Sequence, residues 1–148
     1  MSREAAIEQL RSSFGELIAA DRRLRARDPQ QHGDLSHGQV RALFLFKCDE
    51  EVTAGTLAKR ADLSPASMTA MLDALEKAGM VTRRRSETDR RQVIVALTPA
   101  GRERLEERRA AWQARWAERM SHHSEEELET AARVSRTLAA MLDEIGGK

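Results

Sequence analysis

Apolar residues recur at helical spacing through both flanks of the chain and change to a strand-like alternation only near residue 80. From residue 4 to 26, Ile7, Leu10, Phe14, Leu17, Ile18 and Leu24 fall at steps that place them on one stripe of an amphipathic helix with a charged far side. Asp28 to Asp34, with Pro29 and Gly33, is turn-rich, and Ser36 then caps a second helix carrying Val40, Leu43, Phe44 and Phe46. Thr53 is placed to cap a short third helix with Leu57, Ala58 and Ala61. That helix breaks at Asp62-Leu63-Ser64, where Ser64 caps and Pro65 opens a fourth helix. The fourth helix, 65–78, ends at Gly79, the residue type that stops helices in a left-handed conformation.

Met80-Val81-Thr82 and Gln92 to Leu97 then alternate or run β-branched around the polar Arg83 to Arg91, which predicts a β-hairpin with a charged, flexible tip. Thr98-Pro99 repeats the cap-then-proline start and opens a long helix with Leu105, Trp112, Trp116 and Met120 on one stripe. After Ser121-His122-His123, Ser124 and Glu127 form a capping box for a last helix, whose stripe is Leu128, Ala131, Ala132, Ser135, Leu138, Ala139, Leu142 and Ile145. The expected fold is mainly α with a small β-hairpin wing. A winged helix-turn-helix occupies 35–97, and dimerisation helices come from both termini, 1–34 and 98–148.

At 148 residues the chain has room for one domain or a compact set of packed segments, which excludes a large multidomain enzyme. The longest apolar runs, such as Ala42 to Phe46, fall far short of a membrane span, and the first residues lack an apolar signal core, so a cytoplasmic location without membrane association is expected. Cys48 is the single cysteine, which excludes an internal disulfide and a multi-cysteine zinc cluster. Net charge is only +1, so its distribution matters more than its sum. Met80 to Gln92 carries five arginines against Glu87 and Asp89.

Two short helices joined by a tight turn and followed by a hairpin with an arginine-rich segment describe a winged helix-turn-helix. A helix fits the major groove and presents its N-terminal residues to base edges. Here that end carries Ser64, Pro65, Ala66, Ser67 and Thr69, small and mostly hydroxyl-bearing, while Met68, Leu72 and Leu75 face inward. The wing, 82–92, offers Arg83, Arg84, Arg85, Arg90 and Arg91 to phosphates and a narrow minor groove. Ser64 and Thr53 are N-caps first, and each is also a candidate DNA contact. A run of charges by itself is more often a solvated loop; its placement directly after a helix-turn-helix reverses that preference.

Thr53 to Ser64, Met68 to Val81, Asp89-Arg90-Arg91 and Leu97-Thr98-Pro99-Ala100-Gly101 together resemble the MarR family of bacterial transcription regulators, and Leu35 to Leu45 is similar to the family's second helix. The resemblance implies a homodimer that binds a pseudo-palindromic double-stranded DNA operator, usually as a repressor. In its D-x-R wing motif the aspartate, here Asp89, steadies the wing and the arginine, here Arg91, enters the minor groove. It also implies a small aromatic or phenolic effector bound between the dimerisation helices and the winged domain, with Phe14, Leu17, His37, Val40, Arg41 and Phe44 as candidate ligand-binding residues. For His37, a candidate polar handle for a carboxylate, a surface histidine at a helix start is the preferred reading.

Dimerisation has separate support in the residues. Three apolar stripes from the two ends of one chain leave little to enclose them, so a second copy would complete their core. Trp112 and Trp116 read as core or interface anchors. Peroxide sensing through Cys48 is disfavoured, because Asp49 and Glu50 would raise its thiol pKa. His32, His37, Cys48 and His122-His123 form no local cluster, so no metal site is expected. Nor is a catalytic constellation or a cofactor motif present, and the chain is not expected to be an enzyme. The competing reading is a winged-helix module that binds protein without specific DNA binding; the basic wing argues against it.

Overall fold

The computed structural model describes residues 1–26, 35–47 and 50–147. The turn-rich segment 28–34 with His32, and Cys48 with Asp49, lie outside the described residues. The elements run α1 (Arg3–Ala26), α2 (His37–Leu43), β1 (Glu51–Thr53), α3 (Ala54–Ala61), α4 (Pro65–Lys77), β2 (Val81–Arg85), β3 (Val93–Leu97), α5 (Pro99–Met120) and α6 (Glu125–Ile145). The chain forms two compact units, Met1–Glu106 and Glu107–Lys148, with the division falling inside α5.

Local chemistry sets most of these boundaries. Ser36 starts α2 with a capping box, accepting from the Gln39 amide at 3.1 Å while Gln39 Oε1 accepts from the Ser36 amide at 2.7 Å. Thr53 Oγ1 accepts from the Thr56 amide at 3.0 Å and starts α3. Asp62 closes α3 at φ 56°, a left-handed conformation that aspartate tolerates better than most residues; its amide donates to Lys59 O and that of Leu63 to Ala58 O. Gly79, at φ 74°, ends α4 in the same way. Its amide donates to Glu76 O and that of Met80 to Leu75 O. Ser124 and Glu127 form the capping box expected of α6.

The expected hairpin of β2 and β3 is present with one strand added, and the end of α2 is corrected. The β-structure is a three-stranded antiparallel sheet of order β1-β3-β2, in which β1 pairs Val52 with Val95 and β2 pairs Val81 with Leu97. The strand β1 is too short to show an alternation, and its partner lies more than forty residues away in sequence. Helix α2 stops at Leu43; Phe44 is its C-cap, and Phe44, Leu45 and Phe46 continue in tighter turns, each donating to the carbonyl three residues back. Phe46, assigned to the helix, is instead the largest fully buried side chain beyond its end. The wing tip is closed by short-range hydrogen bonds among Ser86, Thr88, Asp89, Arg91 and Gln92.

One core holds the winged part. Leu43, Phe46, Val52, Leu57, Met68, Leu72, Leu75, Val81, Val95, Leu97 and Leu105 are buried together. Met68, Leu72 and Leu75 recur at helical spacing and give α4 one inward face, which leaves its other face to solvent. In contrast, α6 buries none of its residues, and α1 leaves Ile7, Leu10, Leu17, Ile18 and Leu24 substantially exposed. Trp112 and Trp116 meet edge to face with ring centroids 6.3 Å apart, yet each stays more than half exposed. Among the described residues no helix is long and apolar enough to cross a membrane.

Candidate nucleic-acid interface

The exposed N-terminus of α4 carries Ser64, Pro65, Ala66, Ser67 and Thr69, all on the solvent side of the turn that follows α3. Their hydroxyls differ in what they have left to offer. Ser64 Oγ accepts from the Ser67 amide at 3.1 Å and donates to Ser67 Oγ at 2.9 Å. Ser67 therefore keeps its own proton for an external acceptor. Thr69 Oγ1 donates back to Pro65 O at 2.9 Å and keeps lone pairs and a methyl group. Thr53 is half-buried, its oxygen engaged as the α3 cap and with Thr56 Oγ1 at 2.9 Å.

The wing arginines fall into two groups, a division that the bare run of charges hid. Strand β2 extends to Arg85, so Arg83, Arg84 and Arg85 belong to the strand, not to the tip. Arg83 reaches back to α4, where its Nε and Nη2 donate to Glu76 Oε2 at 3.1 and 2.5 Å and Nη2 lies 2.7 Å from Asp73 Oδ1. The guanidinium holds the Glu76 carboxyl below the usual carboxylate range, and the two carboxylates push the Arg83 pKa up. Arg84 Nη2 meets Glu51 of β1 at 2.6 Å, and Arg85 Nη1 donates to the Arg90 carbonyl at 3.0 Å. Arg90 and Arg91 are exposed, and among the described residues no side chain partners either guanidinium.

The tip that carries them is closed by short-range bonds. The Ser86 amide donates to Gln92 O at 3.0 Å and the Gln92 amide to Asp89 O at 2.9 Å. Ser86 is buried, and its Oγ accepts from the Asp89 amide at 3.3 Å and pairs with Thr88 Oγ1 at 3.0 Å. Asp89 Oδ1 accepts from the Arg91 amide at 3.0 Å, a side-chain turn that fixes the backbone from which Arg91 projects. Ser86 and Thr88, as well as Glu76 and Asp73, do not stand out in the sequence pattern. A serine and threonine flanking Glu87 beside an aspartate is the signal that could have found the closed tip.

The effector candidates are spread over two helices. Phe14 and Leu17 lie on α1, and Leu17 is largely exposed; His37, Val40 and Arg41 lie on α2, with Phe44 at its C-cap. Helix α2 packs on α4, with Gly38 against Met71, whereas α1 has no extensive packing on any other described element of its unit. Among the described residues no group of three or more His, Cys, Asp or Glu side chains is arranged to hold a metal ion.

Two short helices set against a three-stranded sheet, with an outward helix N-terminus and a basic hairpin, define a winged helix-turn-helix protein. The profile of the MarR family matches residues 35–93. HTH-type transcriptional regulator Mb0904 of Mycobacterium bovis is 32% identical over 128 residues, spanning 86% of this chain and 88% of that protein. HTH-type transcriptional repressor YetL of Bacillus subtilis is 33% identical over 95 residues, 63% of this chain and 57% of that one. The fold is similar to that of Streptococcus pneumoniae FabT, solved in complex with DNA, with a TM-score of 0.73 and 24% identity over 97% of this chain and 99% of that one. The chain belongs to the MarR family of DNA-binding transcriptional regulators.

Proposed function

We propose that this regulator is a repressor that binds a pseudo-palindromic operator as a two-fold dimer. In this reading α4 enters the major groove and the wing reaches the adjacent minor groove. The observation that carries it is the division of the basic residues. The arginines of β2 are held by partners in the fold, while Arg90 and Arg91 stand at the end of a closed, exposed tip with their charge available to phosphates. At the N-terminus of α4, Ser67 supplies a free hydroxyl donor for a base-edge acceptor, and Thr69 supplies lone pairs and a methyl group. Ser64, Pro65 and Ala66 are small enough for close approach, and Thr53 fixes the helix that lies across the backbone. The repressor of Bacillus subtilis among its relatives and the DNA complex of FabT support the same reading.

The dimer would be built from the helices that the protomer leaves uncovered. The apolar stripes of α1 and α6, with Trp112 and Trp116 on α5, are the surfaces a second copy would bury. A small aromatic or phenolic acid is the proposed effector, with Phe14, Leu17, His37, Val40, Arg41 and Phe44 as its candidate contacts. The test is a titration of the purified protein against the DNA upstream of its own coding region at two salt concentrations, with and without salicylate. Tight, salt-sensitive binding that salicylate weakens supports the whole reading. Binding that salicylate leaves unchanged removes the effector, and no preference over random DNA removes the operator.

A further inference from the structure

The ion pairs of Arg83 join the two elements that are proposed to read the two grooves. Val81 and Arg83 stand two residues apart on β2 and so project from the same face of the sheet; Val81 is buried in the core, and Arg83 beyond it meets α4. Its guanidinium bridges Glu76 and Asp73, one turn apart on α4, and the Arg83 side chain is only 24% exposed. Two carboxylates around one guanidinium leave the cluster with a net negative charge, the wrong sign for contacting a phosphate. Arg83 is thus held in place by the helix on one side and by the ladder pairing of β2 with β3 on the other.

We propose that Arg83 is a positioning residue for DNA binding, clamping the wing to α4 so that both approach the duplex as one rigid unit, without touching a phosphate itself. The proposal rests on the reading that α4 and the wing bind DNA. Preorganisation of this kind lowers the ordering cost of binding, because the wing need not find its place after α4 has docked. The wing-region arginines left to displace counterions are then Arg90 and Arg91, together with Arg85, whose guanidinium meets only a neutral carbonyl.

The test uses the full-length protein and an operator duplex for which it shows salt-sensitive binding. Glu76→Gln is the most telling variant, because its simple electrostatic effect and its clamping effect have opposite signs. Removing a negative charge near DNA would by itself strengthen binding; loss of the clamp weakens it. We expect Glu76→Gln and Arg83→Gln each to weaken binding roughly tenfold, and the double variant to be little worse than either, the mark of residues acting together. The salt slope of Arg83→Gln should match the parent's, since a lost phosphate contact would lower it by about one. Thermal unfolding run alongside establishes that each variant is folded, and Glu76, on the exposed side of α4, puts no core packing at risk. Stronger or unchanged binding by Glu76→Gln, or a reduced slope for Arg83→Gln, overturns the proposal. Arg91→Ala separates the two levels: if it weakens binding while the Arg83 and Glu76 variants do not, the clamp fails and the DNA-binding reading stands.

Discussion

Gly101 of α5 lies against the Met80 carbonyl so closely that a Cβ at residue 101 would sit 2.0 Å from the oxygen and 2.9 Å from its carbon. The contact locks the start of α5 onto the turn between α4 and β2. Thr98 reinforces it: its amide donates to Met80 O at 3.0 Å, its Oγ1 donates to Gly79 O at 2.6 Å, and the same oxygen accepts from the Gly101 amide at 2.9 Å. The obstacle is backbone on both sides, so no flexible side chain can swing away.

Gly101→Ala should therefore destabilise the fold by about 1 to 3 kcal/mol or more, even though alanine is the better helix former. Urea unfolding measures this directly. Stability equal to the parent's, or above it, would show that α5 does not seat on Met80 as described.

A second prediction concerns pH. Glu50, held below its ordinary value of 4.5 mainly by the Arg60 guanidinium and by the Lys47 amide, ties the start of β1 to α3, and Arg60 also donates to Leu45 O at 2.8 Å. A carboxyl with a depressed folded pKa contributes stability that is complete above its unfolded value and is lost as pH falls through the folded one. The stability of the parent should thus decline below about pH 4.5. Glu50→Gln should flatten that decline, while lowering stability at neutral pH. An acid limb in Glu50→Gln as steep as the parent's would remove this pair from the account.

Much of this fold is legible in the sequence because its boundaries are set locally. Ser64 before Pro65, Thr98 before Pro99 and Ser124 three residues before Glu127 each mark a helix start by satisfying amides within one turn. What is not legible depends on long-range partners. Val52 becomes a strand residue only through Val95, and Phe46 leaves its helix to fill the core. Among the arginines, residue type and spacing locate the wing but not the division of labour within it. That Arg83 turns to Glu76 follows from which face of β2 packs on α4.

The uncovered helices give a third prediction. Leu142 on α6 is 45% exposed in the protomer, so a charge there costs the isolated chain little. In the proposed dimer the same charge would be buried without a partner. Leu142→Glu should yield a folded monomer by light scattering with normal helical circular dichroism. A stable dimer would place the interface elsewhere.

Sequence discrimination tests the N-terminus of α4. Ser67→Ala removes the hydroxyl that remains free to donate, and should relax preference at one base pair of each half-site by about 1 to 3 kcal/mol. Binding of a panel of single-base operator variants reads this out. Preferences identical to the parent's would mean that Ser67 does not face the bases.

The most direct test of the central claim is selection of bound duplexes from a random DNA pool by the unmodified protein. An inverted repeat is expected, with half-site centres one helical turn, roughly 34 to 36 Å, apart, as two copies of α4 in a two-fold dimer require. Enrichment of a single unrepeated motif, or of no motif, would contradict that claim.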